Sequence, residues 1–429
     1  MKSASKAFTA ERKKPRPLKS DVMRIRIKMK KIFRFILILI LIVNLHLKAE
    51  ETLQQIAKRR FNTPVTYKGG SLQQVNGVPI LKLAGTPEQM GEQYGHILKD
   101  VLRKIEKHIN KEILDLGLRG LVIRRIADTL DKNIPKEYKE EMKAIVKESG
   151  VAYKTLLFIN CFGDVFNVGC STFAVWGKRS FDKAPIFGRN LDFYSMGIAD
   201  KVGILIIYKP EGKKQFAAPC FVGFSGLYSG INKDGFCVAN MLAYNDIMKI
   251  APNPMPSSLA FRQILEQCST IDGAEQILKG QQYIGGNNLM MVEKEGKACV
   301  AEIDPEKMIL RKPEGEYIYA TNHFVLDKMA VYRGRCRRYN ILTQLFVYTD
   351  KHITIEDSIK LLKKTAISDI NIQSMVFRPK TNELYLACNT IPACSGEFIN
   401  IKLDKIFKGK TEDKNPPKTI IPAKGDIVN

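Results

Sequence analysis

Cys170 is the residue of this chain whose surroundings best suit covalent chemistry. It follows Gly169 and opens the run CSTFAVWG, where the sequence changes from helical patterns to short β-branched and aromatic stretches. A thiol becomes a useful nucleophile when a nearby base or cation favours its thiolate. Attack by such a thiolate on an amide carbonyl gives a thioester, which water or an amine then resolves. The identity of the base decides between the mechanisms open to Cys170.

Histidine, the usual base for a thiol, is scarce in this chain, which has His46, His96, His108, His323 and His352. A Cys/His pair of the thiol-peptidase kind would have to use one of the last two. The alternative base is the α-amino group of Cys170 itself, whose pKa of about 8 suits neutral pH. That mechanism requires cleavage at Gly169–Cys170, and the small residue before the cysteine leaves the scissile carbonyl accessible.

Half of the positive charge lies at the N-terminus. The chain has a formal charge of +24, and residues 1–48 hold fourteen Lys/Arg and two Asp/Glu, a net +12. The apolar run 32–47 follows basic residues and precedes a small residue, Ala49, a pattern typical of a secretory signal peptide. We predict a basic leader and signal peptide over residues 1–49, with Met29 as an alternative start. The protein is then secreted or periplasmic, or membrane-anchored if the segment is retained.

The rest of the composition excludes several classes of protein. The remaining charge is spread evenly and no block interleaves Lys/Arg with aromatic residues, so we expect no nucleic-acid partner. No Cys/His cluster has zinc spacing, and neither HExxH nor a phosphate-binding glycine loop occurs, so we predict no metal and no cofactor. The odd count of nine cysteines leaves at least one thiol unpaired. Cys237 and Cys299 lie in apolar runs and are predicted to be buried.

The elements upstream of Cys170 are predicted to be mainly helical. A strand is predicted at Val78–Leu83, followed by Thr86-Pro87-Glu88-Gln89, a capping box with proline at the first helical position. Gly91 and Gly95 are one turn apart in the helix that follows, which permits close packing against a neighbour. Further helices are predicted over residues 121–130 and 136–149. We interpret residues 50–169 as a helical pro-segment or small chain.

Downstream of Cys170 the sequence reads as strands separated by glycine-containing turns. Helices interrupt them near residues 257–268, 273–279, 334 and 355–364, and a late strand pair reads SMVFRP-KTN-ELYLAC. Runs of strands flanked by helices favour a layered α+β sandwich over alternating βαβ units. We predict a catalytic chain over residues 170–408 and a flexible tail over 409–429.

Several motifs in order resemble one enzyme family. GCSTFAVWG followed by GRNLDF resembles the N-terminal nucleophile (Ntn) hydrolases that use a cysteine. The nearest family is the acyl-coenzyme A:6-aminopenicillanate acyltransferases, with choloylglycine hydrolase and acid ceramidase more distant. LAGTPEQMGEQYGHIL, ATNH, RGRCRR and SMVFRPKTNELYLA extend the resemblance over roughly residues 80–400.

This resemblance implies a fold and an activity. The fold is a four-layer αββα sandwich of the Ntn-hydrolase type. The activity is that of an exported enzyme, matured by autocatalytic cleavage, that hydrolyses or transfers the acyl group of a linear carbon–nitrogen bond. Its substrate is a small N-acyl amide, with an acyl-coenzyme A or an amine as a further candidate partner. A membrane is implied only through an uncleaved signal segment.

The resemblance also implies roles for individual residues. Cys170 is the nucleophile, Asp192 orients its α-amine and Arg189 assists the thiolate, in agreement with the effect of nearby charges on ionisation. Asn322 donates to the developing oxyanion. Arg335 is a second arginine near the nucleophile.

Each of these assignments has an alternative. Arg189 and Asp192 would equally form a structural ion pair on a hairpin, and Asn322 a turn at a strand end. For Arg335 the alternatives are an exposed helix face or one of the neighbouring arginines, Arg333, Arg337 and Arg338. Asn240 is a candidate second oxyanion contact, with Leu242 competing for the position. Asn287 and Asn288 either line the site or make a turn.

Three functions stay open from the sequence. The first is the Ntn amidohydrolase or acyltransferase, the second is a thiol peptidase with His323 or His352 as base, and the third is a binding protein on the same fold that does not process itself.

Overall fold

The computed structural model describes residues 53–115, 117–165, 169–243, 251–326, 335–409 and 419–420. The predicted leader and signal peptide, including Met29, lie outside these ranges. Within them, no helix combines the length and the hydropathy that crossing a bilayer requires. All nine cysteines fall within the described ranges and are unpaired thiols, and Cys237 and Cys299 are buried as predicted.

The helices follow the predicted pattern closely. They are α1 (residues 53–61), α2 (Pro87–Ile97), α3 (Lys99–Asp115), α4 (Leu118–Asp131), α5 (Lys136–Ser149), α6 (Tyr153–Val165), α7 (Ser257–Gln267), α8 (Ile271–Lys279), α9 (Arg337–Tyr348), α10 (Ile355–Thr365) and α11 (Leu403–Phe407). The predicted capping box is present at the start of α2, where the side chains of Thr86 and Gln89 each accept from the other's backbone N–H.

The strands form two sheets. They are β1 (Val65–Tyr67), β2 (Gly70–Val75), β3 (Val78–Gly85), β4 (Gly169–Gly177), β5 (Lys183–Asp192), β6 (Gly203–Pro210), β7 (Phe216–Phe221), β8 (Ser229–Asn232), β9 (Cys237–Ala243), β10 (Gly286–Val292), β11 (Ala298–Ile303), β12 (Met308–Arg311), β13 (Tyr317–Ala320), β14 (Asn371–Arg378), β15 (Glu383–Cys388), β16 (Phe398–Lys402) and β17 (Thr419–Ile420). Sheet A has the order β1-β2-β3-β6-β7-β8-β9-β10-β11-β12, and sheet B has the order β13-β4-β5-β14-β15-β16-β17.

The two sheets face each other, with helices on their outer faces. Thr172 of β4 donates to Met290 Sδ of β10 at 3.6 Å across the space between the sheets. On the other side of β4, Phe173 and Val175 pack with Leu342 and Leu362 of α9 and α10. Helix α7 lies against the outer face of sheet A, where Leu265 packs on Gly230. The predicted α+β class and αββα layering are confirmed.

The segment upstream of Cys170 differs from the prediction in one respect. It is mainly helical and contains the predicted strand, β3, which pairs in parallel with β6, but it also supplies β1 and β2 to sheet A. A two-residue turn at Asn76-Gly77 has φ values of 50° and 87° and joins β2 to β3. Asn-Gly is a strong hairpin signal, so the sequence did contain a cue for this strand pair.

Two further expectations need correction. The apolar pattern after Thr86 reads as one helix through Ile109, whereas the structure interrupts it at Leu98, between α2 and α3. Within the predicted flexible tail, Thr419–Ile420 pairs with β16. The helix predicted to begin near residue 334 begins at Arg337, and residues 327–334 are outside the described ranges.

A buried ion-pair network connects the upstream segment to the rest of the fold. The guanidinium of Arg262 on α7 donates to both carboxylate oxygens of Glu141 on α5, at 2.9 and 2.6 Å, and to Glu266 at 2.8 Å. The side chains of Arg262 and Glu141 are each 1% exposed. A bidentate pair of this kind fixes the relative position of the two helices as well as the charge.

The close contact of α2 with α5 depends on glycine, as the sequence predicted. A Cβ on Gly91 would lie 2.3 Å from the backbone oxygen of Glu141, and one on Gly95 would lie 2.6 Å from that of Ile145. Backbone atoms cannot move aside as flexible side chains can. We expect Gly91→Ala to lower the free energy of unfolding by about 1–3 kcal/mol, because overpacking outweighs the gain in helix propensity.

Urea denaturation would measure this loss, with Gly280→Ala as the matched control. A Cβ on Gly280 meets nothing nearer than the oxygen of Ile277 at 3.6 Å. Equal stability of the two variants would contradict the close-packing account.

Candidate active site

The pairing of β4 with β5 determines which side chains surround Cys170. Cys170 is opposite Leu191 and Thr172 is opposite Arg189 in the antiparallel register. Opposed residues share a face of the sheet, so the thiol of Cys170 and the side chain of Arg189 both project toward sheet A. Cys170 is 1% exposed.

Arg189 is a buried cation held by sheet A. Its Nε donates to Ser229 Oγ at 3.1 Å and its Nη2 donates to the carbonyl oxygen of Asn240 at 2.7 Å. Arg189 is three residues from Asp192, so the two side chains leave β5 on opposite faces. This arrangement does not support the alternative of a structural ion pair between them.

The groups around the thiol have opposite effects on its pKa. Burial raises the pKa of the Cys170 thiol, whereas the charge of Arg189, its hydrogen bond to the thiol and the charge of Arg338 act to lower it, and Asp192 acts to raise it. Because burial has the largest effect, the thiol of the uncleaved chain is held in its neutral form. Formation of the Cys170 thiolate therefore requires a further change in its surroundings.

Asp192 lies beside the predicted scissile bond. It is opposite Gly169 in the register, and a Cβ on Gly169 would be 3.2 Å from the Cβ of Asp192. Its Oδ1 accepts from Asn371 Nδ2 at 2.8 Å, and its Oδ2 is 3.8 Å from Nη1 of Arg338. Burial raises the pKa of this carboxyl to about 6, although the hydrogen bond from Asn371 and the charge of Arg338 act against burial.

Asn322 binds the backbone of the nucleophile. Its Oδ1 accepts from the backbone N–H of Cys170 at 2.6 Å, and its Nδ2 donates to the carbonyl oxygen of Leu242 at 2.7 Å. The sequence predicted proximity to the nucleophile, and the structure places Asn322 there. In the uncleaved chain its amide holds the peptide nitrogen that would become the α-amine.

The arginine of the RGRCRR segment that reaches Cys170 is Arg338, and this corrects the expectation for Arg335. Arg338 donates to the carbonyl oxygen of Cys170 and, at 2.9 Å, to Asn322 Oδ1. Arg335 precedes α9 and is exposed, as is Arg337. The phase of α9 decides which arginine faces inward, and the sequence alone did not fix that phase. Arg333 lies outside the described residues.

Of the candidate asparagines, Asn288 faces the site and Asn240 does not. Asn288 donates to the carbonyl oxygens of Thr321 and His323, at 3.0 and 2.8 Å, and so holds the segment that carries Asn322. Ser229 and Ala239 are opposed and face sheet B, so Asn240, the next residue, projects to the other side. Asn240 reaches the site only through its backbone carbonyl, and Asn287 shares its outward direction.

The two candidate histidines make contacts with groups other than Cys170. His323 is buried, 3.1 Å from Thr321 Oγ1, and its ring packs against Tyr339. His352 is exposed and adjoins Ile353, which pairs with Ser180 beyond the far end of β4. Among the described residues, no group of three or more His, Cys, Asp or Glu could hold a metal ion.

An apolar cavity of about 60 Å³, partly open to solvent, lies near the nucleophile end of β4. Its walls include Ile109 of α3, Phe158 and Phe162 of α6, and Phe193, Ala199 and Tyr228 of the loops that follow β5 and β7. Phe193 follows Asp192 directly, and Tyr228 directly precedes Ser229, the residue that binds Arg189. Sequence reasoning missed this cavity, because its walls come from segments far apart in the chain.

Two residues of the site were also missed, Ser229 and Asn371, and Arg338 was named only as an alternative to Arg335. Asn371 precedes the strand SMVFRP in the string SDINIQ, and nothing local marks it. Its importance depends on the pairing of β14 with β5, which a single sequence does not reveal.

Comparison with known proteins gives a family match over part of the chain. Residues 179–378 match the model of the family described as acyl-coenzyme A:6-aminopenicillanic acid acyl-transferase. The match includes Arg189, Asp192, Asn322 and Arg338, and it begins after Cys170. The protein dcd1A of Dictyostelium discoideum is 27% identical over 231 residues, which are 46% of this chain and 52% of that protein. The chain spans about half the length of the curated relatives it matches.

Two solved structures are similar at low identity. One is a Caenorhabditis elegans N-acylethanolamine-hydrolyzing acid amidase ortholog, with 14% identity, a TM-score of 0.40, and coverage of 49% of this chain and 93% of that one. The other is a mutant conjugated bile acid hydrolase from Clostridium perfringens, with 14% identity, a TM-score of 0.38, and coverage of 60% and 98%. TM-scores this low carry no inference about residues or substrates. The family match over residues 179–378 confirms the predicted resemblance of this chain to the acyl-coenzyme A:6-aminopenicillanic acid acyl-transferases.

Proposed function

We propose that this protein is an exported, self-cleaving amidohydrolase or acyltransferase that acts on the linear carbon–nitrogen bond of a small N-acyl amide. The observation that supports it best is the set of contacts at the backbone of Cys170 and the glycine before it. Asn322 accepts from the N–H of Cys170 at 2.6 Å, Arg338 binds its carbonyl oxygen, and Asp192 is opposite Gly169. A structural cysteine in a core strand needs none of these groups.

Maturation begins with the bond between Gly169 and Cys170. The thiol attacks the carbonyl carbon of Gly169, the peptide nitrogen takes up a proton and leaves, and a thioester joins Gly169 to Sγ. Water then hydrolyses the thioester, which gives a carboxylate on Gly169 and restores the thiol. The product is a Cys170 with a free α-amino group.

Cleavage also bears on access to the nucleophile. Cys170 is 1% exposed in the uncleaved chain, and burial keeps its thiol neutral. Substrate can reach the thiol only if the site rearranges, and a cut after Gly169 removes one covalent restraint on such a rearrangement. The uncleaved chain is therefore an inactive precursor in this proposal.

In the mature enzyme the α-amine takes the proton of the thiol. Asp192 then faces an ammonium, which it stabilises, and Arg189 stabilises the thiolate. The thiolate attacks the amide carbonyl, the amide of Asn322 donates to the developing oxyanion while Arg338 holds Asn322, and the ammonium returns a proton to the leaving amine. Water resolves the thioester to a carboxylic acid, and an amine acceptor would give a new amide. We favour water as the usual acceptor.

The apolar cavity supports an apolar acyl group. Its walls are aromatic and aliphatic side chains, and it adjoins Phe193, which follows Asp192. Export rests on the N-terminal pattern of residues 1–49.

Cleavage gives the first test. We expect the purified wild-type protein to consist of two fragments, with mass spectrometry showing Cys170 at the new N-terminus. Cys170→Ala should remain one chain and lose at least about 10³-fold in kcat/KM, because the nucleophile is gone. Cys237→Ala, which alters another buried thiol, should be cut normally.

The other functions predict different results. An uncut wild-type chain that hydrolyses amides would reject self-cleavage and favour a thiol peptidase. An uncut, inactive chain that binds a ligand tightly would favour a binding protein.

Arg338 and Arg335, near the start of α9, allow a test in which one variant is the control for the other. We expect Arg338→Ala to slow both cleavage and amide hydrolysis by about 10²-fold, because it removes the donor that holds the carbonyl oxygen of Cys170 and Oδ1 of Asn322 in place. Arg335→Ala removes the same charge from an exposed position three residues away and should change neither rate by more than about twofold. Equal effects of the two variants would contradict the assignment of Arg338.

The cavity predicts a preference among substrates. With N-acyl amino acids of increasing acyl length, we expect Ala199→Phe to lower kcat/KM for long chains at least about tenfold and to spare N-acetyl compounds, because it fills apolar space. Ala184→Phe, at the other end of β5, is the control. A uniform loss at all chain lengths would show that the acyl group binds elsewhere.

A further inference from the structure

One carboxylate oxygen of Asp192 is held by a side-chain hydrogen bond, and the other is not. Its Oδ1 accepts from Asn371 Nδ2 at 2.8 Å. Its Oδ2 is buried and makes no hydrogen bond of ordinary geometry within the part of the chain that the structure describes; Arg338 Nη1 is 3.8 Å away, and the backbone N–H of Ile367 also acts on the carboxyl. A buried carboxylate oxygen without a donor is costly, so such an atom calls for a partner.

The position of Asn371 follows from a β-bulge. Asn371 is opposite Asp192 and Gln373 is opposite Leu191, so β14 contains one more residue than β5 at this point. A bulge redirects a side chain that regular alternation would send to the other face. Asn371 and Ser374 are three residues apart, yet both lie on the face that carries Asn190 and Asp192.

The orientation of the Asn371 amide is fixed by its own partners. Its Oδ1 accepts from the backbone N–H of Cys394 at 2.7 Å, and its Nδ2 also lies 3.4 Å from the carbonyl oxygen of Gln373, to which it donates. Because a backbone donor holds the oxygen, the Nδ2 group has to face Asp192. Asn371 is 0% exposed, so water does not compete for these bonds.

We propose that Asn371 is a positioning residue that holds Oδ1 of Asp192, so that Oδ2 is presented to the α-amino nitrogen that cleavage creates on Cys170. This inference rests on the proposed function, because the α-amine exists only in the cleaved enzyme. Gly169 is opposite Asp192 and its peptide bond to Cys170 is the one that is cut, so the new amine forms beside this carboxylate. The ammonium supplies the donor that Oδ2 lacks.

The charged and titratable groups that act on Asp192 come from four elements. They are Cys170 of β4, Arg189 of β5, Arg338 of α9 and Cys394 of the turn at residues 393–395. Burial raises the pKa of Asp192 to about 6, and the hydrogen bond from Asn371 acts to lower it. Loss of that bond therefore raises the pKa, and a carboxyl that protonates at higher pH releases the ammonium at higher pH.

The test is the pH dependence of kcat/KM for the cleaved enzyme, whose acidic limb reports ionisation of the free enzyme. We expect Asn371→Ala to move this limb upward by about half a pH unit to one unit. Asn371→Asp places a second carboxyl against Asp192 and should move the limb further. Thr365→Val is the control, because Thr365 bonds to Leu361 and Asn190 in the same buried region without touching Asp192.

A second measurement does not depend on activity. In the uncut Cys170→Ala chain, the ¹³C signal of the Asp192 carboxyl, assigned by its loss in Asp192→Asn, should titrate near pH 6 and higher in Asn371→Ala. A residue with only a structural role would lower kcat or stability and leave both titrations in place, which would overturn the inference. A wild-type chain that is neither cut nor active, with the carboxyl titration shifted as expected, would reject the proposed function and leave the contact of Asn371 with Asp192 established.

Discussion

The antiparallel pairing of β4 with β5 is the constraint on which the candidate site depends. It places the thiol of Cys170 and the guanidinium of Arg189 on the face toward sheet A, and Asp192 on the opposite face beside Gly169. The side chain of Cys170 therefore lies near a cation, whereas its backbone nitrogen lies near hydrogen-bond acceptors on another side. A cation and a carboxylate that are close in sequence can then act on different atoms of the nucleophile without neutralising each other.

Sheet A and the helices supply the remaining groups of the candidate site. Ser229 and the carbonyl of Asn240 hold Arg189 from sheet A, and Asn322 and Arg338 reach Cys170 from the end of β13 and from α9. On the outer face, Asn371 and Ser374 continue the polar row that starts at Asp192. The groups around the nucleophile therefore come from both sheets and one helix layer, which explains why the layered fold has to form before the site exists.

Local signals predicted the elements well and the contacts between them less well. The capping box at Thr86 and Gln89, the helices α5, α7 and α10, and the strand that carries Cys170 were all visible, because turn residues, caps and periodicity are short-range features. Arg338 was not separable from Arg335, because that choice depends on where α9 begins. Asn371 was invisible, because a one-residue bulge in a strand paired across almost 180 residues decides its direction. The roles of the site residues remain predictions.

The parallel pairing of β3 with β6 has a consequence for how the protein would be built from two chains. A cut at Gly169 changes the covalent connectivity of the molecule and leaves its sheet intact, because β1, β2 and β3 remain hydrogen-bonded into sheet A. The upstream chain would then be a permanent subunit, held by a main-chain ladder and by the buried pair of Arg262 with Glu141. Dilution alone would not separate such subunits. Removing one would expose the edge of β6 and the hydrophobic surface under α2, and the remaining chain would be prone to aggregate.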